Sequence, residues 1–236
     1  MAGKSGTPVT DQTVPVITID GPSGSGKGTI GHGLARRLGW RFLDSGALYR
    51  ILALAAQRQG IPLEREAVLE QLAGDLEVEF RLNPDGEYQV LLGGLELDQE
   101  LRTEACGANA SRIAALPGVR RGLLERQWAF RQPPGLVADG RDMGTVVFPD
   151  AVVKIFLTAS AEERGKRRYK QLKQKGLSAN LSEIIVDIEE RDRRDANRHL
   201  APLKPAPDAK VLDTTQVGVQ EILEEVMEIV HRRLIS

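Results

Sequence analysis

The chain is poor in the side chains that carry thiol and imidazole chemistry. Its 236 residues contain one cysteine and three histidines, and aromatic residues make up 4% of the sequence. The single cysteine, Cys106, excludes an intrachain disulfide and fits a reducing compartment, and we expect it to be a small buried apolar residue. His32, His199 and His231 form no triad-like pattern, so the sequence argues against a histidine-dependent covalent mechanism.

Strong net charge and long hydrophobic runs are also absent. The formal net charge is −1, so no bulk attraction to nucleic acid or to a membrane surface is expected. No apolar stretch is long enough to span a bilayer. The polar segment Met1–Thr13 has no hydrophobic centre and predicts a loose tail rather than a signal peptide. We therefore expect a cytoplasmic protein with one domain, residues 14–236, which is long enough to bury a substantial core.

A glycine-rich run after a hydrophobic segment is the most informative feature present. It reads Gly21-Pro22-Ser23-Gly24-Ser25-Gly26-Lys27-Gly28-Thr29 and follows the apolar stretch Val14–Ile19. The glycines let successive backbone N–H groups point at an anion, and a helix from about Lys27 adds its N-terminal dipole and the lysine charge. The run predicts a phosphate-binding loop for a nucleotide, with a Gly/Ser-rich surface turn as the alternative.

The residue after the loop lysine departs from the usual phosphate-loop pattern. Gly28 stands where Ser or Thr normally offers a hydroxyl to magnesium, and Thr29 follows one position later. Thr29 could contact the metal either directly or through a water molecule, and the sequence is compatible with both. Asp139 ends a predicted strand and is expected either to orient water on magnesium or to cap the following turn. Asp20, directly before the loop, is expected to hold the loop by hydrogen bonds.

Short apolar strands alternate with helical patterns, which predicts an α/β fold with a parallel sheet covered on both faces. We predict five parallel strands, at Val16–Asp20, Arg41–Leu43, Leu136–Asp139, Val152–Leu157 and Lys210–Leu212. Helices are expected at Lys27–Leu38, Ser45–Gln59, Ala161–Lys175, Ser182–Asn197 and Gln220–Leu234. A small antiparallel insert is predicted from three alternating segments, Leu76–Phe80, Tyr88–Leu92 and Leu95–Leu97, with a turn at Asn83–Gly86.

Charged residues cluster where the predicted parallel strands end, which is where ligands bind in open sheets of this kind. The clusters are Asp44–Arg50, Asp139–Gly144 and, on a helix, Arg191–Arg198. In the last cluster the spacing places three arginines on one helical face: Arg191, Arg194 and Arg198. This face either binds an anion or is a solvated surface with intrahelical pairs such as Glu190–Arg194.

These motifs resemble those of the bacterial cytidylate kinases, within the superfamily of P-loop nucleoside monophosphate kinases. The similarity runs from about Val16 to the final helix and is most specific at Asp139–Thr145, with further matches at Asp44-Ser45-Gly46 and Glu190-Arg191-Asp192. It implies transfer of the γ-phosphoryl group of ATP to CMP or dCMP with Mg²⁺, by positioning and charge compensation and without a covalent intermediate. It also implies a monophosphate-binding insert at about 74–100 and a helical lid at about 160–180. We expect a monomer.

The resemblance implies a role for each matched side chain. The phosphates of ATP would be bound by the loop, residues 21–29, and by the lid arginines Arg164 and Arg168, with Arg167 as the alternative. The acceptor phosphate would be held by Arg50, Arg141 and Arg198. The cytosine base would be read by Ser111, Arg120 and Asp142. The sugar and its surroundings would contact Ser45, Tyr49, Arg191 and Asp195. The expected catalytic residues are Lys27, Asp139, Arg141 and Arg198.

Three other functions would use part of this pattern. A kinase for another monophosphate, such as UMP or AMP, would keep the phosphate loop but need a different base pocket. A nucleotide-dependent switch would normally carry Asn-Lys-x-Asp for guanine, together with Ser or Thr after the loop lysine, and both are missing. A non-catalytic nucleotide-binding module would not need the arginines of a second anion pocket.

Overall fold

The computed structural model describes residues 14–82, 88–101, 103–174, 176 and 178–234. The segment Met1–Thr13 and the turn predicted at Asn83–Gly86 lie outside these residues. The strands are β1 (Val16–Asp20), β2 (Arg41–Asp44), β3 (Val78–Leu82), β4 (Tyr88–Leu92), β5 (Leu95–Glu96), β6 (Leu136–Gly140), β7 (Val153–Thr158) and β8 (Lys210–Asp213).

The helices begin and end close to the breaks in the hydrophobic pattern. They are α1 (Lys27–Leu38), α2 (Ser45–Arg58), α3 (Glu66–Asp75), α4 (Asp98–Leu101), α5 (Glu104–Ile113), α6 (Pro117–Ala129), α7 (Ala161–Gln174), α8 (Leu181–Ala196) and α9 (Val219–Leu234). A π-helical turn spans Met143–Val147, directly after β6. In the part of the chain that the structure describes, no helix has the length and hydrophobicity needed to cross a membrane.

Five strands form one parallel sheet in the order β2-β6-β1-β7-β8. The predicted five-stranded sheet is confirmed. The register places Asp44 beside Asp139 at the ends of β2 and β6, and Asp20 beside Gly140 at the ends of β1 and β6. The charged segments that follow these three strands therefore emerge next to one another.

Each face of the sheet is covered by its own apolar cluster, because successive side chains of a strand point to opposite faces. Ile17 and Ile19 of β1 belong to the cluster that includes residues of α1 and α9. Val16 belongs to the other cluster, which α2, α3, α5 and α6 complete. By the same alternation Thr18 and Asp20 share the face of Val16.

The small antiparallel sheet has the order β3-β4-β5 and confirms the predicted strand meander. Partly buried side chains of β3 and β4, including Val78 and Val90, pack against the cluster of α2 and α6. The rings of Phe80 and Phe130 meet edge to face with centroids 5.3 Å apart. These contacts attach the small sheet to the end of α6.

Helices α3, α4, α5 and α6 were not predicted, and α3 and α6 form a close pair. A side chain on Gly122 of α6 would come within 2.6 Å of the backbone oxygen of Glu70 on α3. Arg121 of α6 also binds Glu70 through two nitrogens, at 3.0 and 2.9 Å. The pair covers the sheet face opposite α1. Packing against α3 also holds α6 in place, and α6 carries Arg120.

Candidate functional site

The glycine-rich run forms a tight loop between β1 and α1. Gly26 has φ 93°, a left-handed conformation that suits glycine, and α1 begins at Lys27 as predicted. A Cβ atom on Gly21 would lie 2.1 Å from the carbonyl oxygen of Leu157, so only glycine fits there. Inside the loop, the Ser25 hydroxyl and the Lys27 ammonium both donate to the carbonyl of Pro22, at 3.0 and 2.7 Å. The loop therefore has the shape of an anion cradle.

Residues far along the chain hold this loop in place. Arg164 of α7 donates from Nη1 to the carbonyl of Ser23 at 3.2 Å. The hydroxyl of Thr214, directly after β8, donates to the carbonyl of Ser25 at 3.1 Å. Arg167 in turn donates to that hydroxyl at 3.0 Å. The sequence analysis missed Thr214, although its position after the carboxyl end of a parallel strand was a usable signal.

Opposite charges are buried together at the start of α1. Burial, followed by the nearby charges of Arg141 and Arg191, lowers the pKa of Lys27 to about 7. Burial raises the pKa of Asp139 to about 7; Lys27 opposes this rise and the carboxylate of Asp44 adds to it. A Cβ atom on Gly28 would lie 3.6 Å from Oδ2 of Asp139, so this carboxylate faces the first turn of the helix.

Asp195 organises a second group of charged side chains beside the loop. Its carboxylate accepts from Nε of Arg141 at 3.1 Å and from the hydroxyl of Ser111 at 3.4 Å. Nη2 of Arg198 lies 3.9 Å from Oδ1. Burial opposes ionisation of this carboxyl, but Arg141, Arg198 and Arg191 outweigh it and hold its pKa below the usual value. One carboxylate thus faces three arginines.

Two buried donors in this cluster lack a hydrogen-bond partner among the described residues: Nε of Arg191 and Nη2 of Arg198. Burial, helped by the charges of Arg141 and Arg50, lowers the pKa of Arg191 to about 10. A Cβ atom on Gly107 would lie 3.5 Å from Arg191 Nη1 and 4.0 Å from Arg50 Nη2, which places both guanidinium groups against α5. The excess of buried positive charge fits an anion such as a phosphate.

Arg120 and Asp142 form a buried ion pair at the far end of the site. Their side chains are 12% and 5% exposed. Arg120 also donates to the carbonyl of Ala114 at 3.5 Å. Burial raises the pKa of Tyr49 to about 12, with smaller contributions from the charges of Arg120, Asp142 and Arg198. Two of the three residues predicted to read the base are therefore in contact, with Tyr49 nearby, whereas Ser111 donates to Asp195.

The geometry so far combines a phosphate loop, a second anion pocket and a buried donor–acceptor pair. A family model described as cytidylate kinase matches residues 17–232. The chain belongs to the cytidylate kinase family. The cytidylate kinase of Stutzerimonas stutzeri (strain A1501) is 58% identical over 215 residues, which cover 91% of this chain and 94% of the relative. That of Azotobacter vinelandii (strain DJ / ATCC BAA-1303) is 56% identical over 213 residues, or 90% and 93% of the two chains.

The predicted lid arginines of this cytidylate kinase family member all have protein partners in the structure. Arg164 is buried and donates to the carbonyl of Ala159 at 2.9 Å and to both carboxylate oxygens of Asp192, at 3.1 and 2.5 Å. Arg168 binds Glu104 of α5 at 2.7 Å. Arg164 thus contacts the phosphate loop through Ser23, whereas Arg168 points toward α5.

The prediction that Asp20 holds the phosphate loop is wrong. Its two carboxylate oxygens accept from the backbone N–H groups of Met143 and Gly144, at 2.9 and 2.8 Å. Burial raises the pKa of Asp20 to about 6, and these two hydrogen bonds oppose the rise. The reason is the strand register, because Asp20 is paired with Gly140 and faces the segment that follows β6.

Of the remaining predicted residues, some are buried at the site and others are exposed to solvent. Ser45 is buried at the start of α2, where the carboxylate of Asp44 caps the helix by accepting from the N–H of Ala47 at 3.0 Å. Thr29 is exposed on α1. Arg194 is 46% exposed and lies 3.9 Å from Glu190, so it belongs to the solvated face of α8. Within the described residues no cluster of three or more His, Cys, Asp or Glu side chains is arranged to hold a metal.

The residues placed outside the site by sequence reasoning also lie outside it in the structure. His199 and His231 are exposed, and the ring of His32 packs edge to face on Phe42 with centroids 4.2 Å apart. Cys106 is buried, and its Sγ lies 3.5 Å from the carbonyl of Arg50. Burial raises the pKa of this thiol, which makes it a poor nucleophile.

Proposed function

We propose that the protein transfers the γ-phosphoryl group of ATP to CMP and dCMP, forming ADP and the corresponding diphosphate. The observation that carries this proposal is the second anion pocket, where buried nitrogens of Arg191 and Arg198 have no hydrogen-bond partner among the described residues. Because Arg141 and Arg191 both lower the pKa of Lys27, this pocket is close to the phosphate loop. Two adjacent anion sites are what phosphoryl transfer between two nucleotides requires.

The phosphate loop, residues 21–29, is proposed to bind the β- and γ-phosphates of ATP. Its backbone N–H groups, the N-terminal dipole of α1 and the Lys27 ammonium provide the positive potential. The added negative charge of the phosphates favours the protonated lysine, whose pKa is about 7 in the ligand-free protein. Arg164 and Arg168 are proposed to contact the same phosphates when the lid at about 160–180 closes and excludes water.

The acceptor phosphate is proposed to bind Arg50, Arg141, Arg191 and Arg198. Guanidinium groups suit this task because they form paired hydrogen bonds with phosphate oxygens. Asp195 keeps Arg141 oriented and offsets part of the cluster's charge before the substrate arrives. An ionised phosphate oxygen is already a nucleophile, so the protein needs neither a covalent intermediate nor a general base.

Recognition of cytosine is proposed to depend on Ser111, Arg120 and Asp142. The guanidinium of Arg120 can donate to the ring nitrogen and carbonyl of cytosine, and the carboxylate of Asp142 can accept from the exocyclic amine. Uracil presents a carbonyl where cytosine has this amine, so it would face the carboxylate without a hydrogen. Ser45 and Tyr49 are proposed to line the sugar-binding side of the pocket.

Magnesium is proposed to bind with ATP rather than in a protein cage. The buried carboxylate of Asp139, whose pKa burial raises to about 7, fits a site completed by a cation. We propose that Asp139 acts through a metal-bound water, and Thr29, exposed on α1, is the second candidate. When bound, the ion neutralises charge that develops on the phosphate oxygens.

The broader expectations from the sequence belong to the same proposal. The segment at about 74–100, which contains the small antiparallel sheet, is proposed to be the monophosphate-binding insert within a single kinase domain, residues 14–236. The segment Met1–Thr13 is proposed to be a tail outside that domain. The protein is proposed to be a cytoplasmic monomer. Nucleotides are its proposed partners, and neither nucleic acid nor a membrane is.

The proposal is tested by ADP release from ATP and Mg²⁺ with CMP, dCMP, UMP, AMP and GMP as separate acceptors. We expect strong turnover with CMP and dCMP, reduced by at least about a hundredfold in Lys27→Ala. Lys210→Ala removes an exposed lysine and serves as the matched control. Turnover with only another monophosphate would contradict the assignment of the base-reading residues. ATP binding without ADP release that depends on an acceptor would contradict the proposal that the protein is an enzyme.

A further inference from the structure

Asp142 lies at a position where the side chain normally caps the start of a helical turn. It is the residue directly before the π-helical turn Met143–Val147, where a short polar side chain usually accepts from the first free N–H groups of the turn. Its side chain makes no such bond. The carboxylate is paired with Arg120 instead.

Two N–H groups at the start of this turn are instead bound by a residue from another strand. Asp20, at the end of β1, accepts from Met143 N–H with Oδ1 and from Gly144 N–H with Oδ2. Asp20 is 4% exposed, so both bonds are shielded from water. The bond from Gly144 N–H replaces the one that the side chain before the turn would otherwise accept, and the bond from Met143 N–H adds to it.

The turn also lies unusually close to β1, which makes this arrangement possible. A Cβ atom on Gly144 would come within 2.8 Å of the hydroxyl oxygen of Thr18, two residues before Asp20 on the same face. That hydroxyl has no hydrogen-bond partner among the described residues. Thr18 thus provides close packing, whereas Asp20 provides the hydrogen bonds.

From this arrangement we infer that Asp20 is a positioning residue for base selection: by capping the turn from β1, it frees Asp142 to pair with Arg120 and read the acceptor base. The inference rests on the proposed function, since it assigns the selectivity of that same site. It differs from a role in holding the phosphate loop, which begins at Gly21, the next residue along the chain.

The inference makes a specific kinetic prediction for Asp20→Asn. The amide can accept one of the two N–H groups but presents an NH₂ group to the other, so the turn shifts and Asp142 with it. We expect kcat/KM for CMP to fall by about tenfold or more. The value for UMP should fall less, and the KM for ATP should stay within about twofold.

A double-mutant cycle separates this role from a general structural one. In an Asp142→Ala background, adding Asp20→Asn should change the CMP-to-UMP ratio of kcat/KM by less than about twofold, because the group that Asp20 positions is gone. Thr18→Val is the matched control on the same strand face and should leave the ratio unchanged. Gly144→Ala, which keeps Asp20 but pushes the turn away from β1, should reproduce the loss of selectivity.

Each outcome of the experiment decides the inference. An equal loss for CMP and UMP, or a raised KM for ATP with an unchanged ratio, would overturn it. If Asp20→Asn does not fold, the ratio measured for Gly144→Ala decides. If the wild-type protein lacks CMP turnover, the proposed function fails instead, and faster amide hydrogen exchange at Met143 and Gly144 in Asp20→Asn still tests the cap itself.

Discussion

Arg141 and Asp195 form an ion pair across the site, with Nε of Arg141 donating to Oδ2 of Asp195 at 3.1 Å. The two residues are 54 positions apart in the chain. The contact joins the segment after β6 to the C-terminal end of α8. It fixes one edge of the second anion pocket relative to the sheet that carries the phosphate loop.

Removing the charge of Asp195 should disorganise that pocket. Asp195→Asn leaves the positive charges of Arg141, Arg191 and Arg198 without their shared carboxylate, so we expect kcat/KM for CMP to fall by about a hundredfold. Steady-state kinetics with varied CMP and varied ATP measure the effect. Asp187→Asn, on an exposed position of the same helix, is the control and should stay near wild type. A loss confined to the KM for ATP would contradict the assignment.

Arg198→Ala should weaken binding through the phosphate of CMP and not through its base. We expect the Kd of CMP, measured by calorimetry without ATP, to rise by roughly tenfold or more, because a charge-assisted contact is lost. Binding of cytidine, which has no phosphate, should change little. Arg194→Ala removes an exposed arginine of α8, which ends two residues before Arg198, and should leave both ligands unaffected. Equal weakening of CMP and cytidine would show that Arg198 does not bind the phosphate.

Arg164 is expected to matter for stability as well as for nucleotide binding. Its side chain is 4% exposed and binds Asp192, Ala159 and Ser23, so Arg164→Ala leaves buried acceptors unpaired. We expect the free energy of unfolding to fall by roughly 3 kcal/mol in urea titrations. Lys166→Ala breaks an exposed pair with Glu162 on the same helix and should cost much less. Equal costs would contradict the role of Arg164 in joining α7 to the loop.

The raised pKa of Asp139 predicts that this carboxyl lowers the stability of the folded protein near neutral pH, although we propose that it serves the reaction. Its carboxyl has a pKa of about 7 in the folded protein against 3.8 for an unperturbed group, so the folded state binds more protons between these values. Stability from this group is therefore lost as the pH rises from about 4 to about 7.

Asp139→Asn removes that loss, so the stability of the variant relative to wild type should be higher at pH 8 than at pH 5. Turnover with ATP and CMP should fall at the same time. Thermal unfolding at the two pH values measures the first effect, with Asp75→Asn on an exposed residue as control. A variant whose stability relative to wild type does not rise between pH 5 and pH 8 would contradict the electrostatic account.

The sequence predicted the parallel sheet and the ends of α1, α2, α7, α8 and α9 to within one or two residues. These elements have strong hydrophobic periodicity and clear breaks. Helices α3 and α6 were missed because their stability comes from packing against each other, as the close approach of Gly122 to Glu70 shows. The small residues of α5, between Glu104 and Ile113, likewise give little periodic signal.

In the site, too, the features encoded by neighbouring residues could be predicted, whereas the contacts between residues distant in sequence could not. The phosphate loop is encoded in nine consecutive residues, so its form was predictable. The contacts of Asp20 and Thr214 depend on strand register and on a π-helical turn that no sequence pattern announces. Asp20 was assigned to the loop because the two are adjacent in sequence, whereas the sheet places it against Met143 and Gly144.

The central claim is that phosphate passes directly from a nucleotide on the loop to a second one held by the arginine cluster. The stereochemical course at phosphorus tests it most directly, using ATP made chiral at the γ-phosphorus with sulfur and oxygen isotopes and CMP as acceptor. A single direct transfer predicts inversion of configuration in the thiophosphoryl group of the product. Retention would require a phosphorylated protein intermediate and would contradict the account.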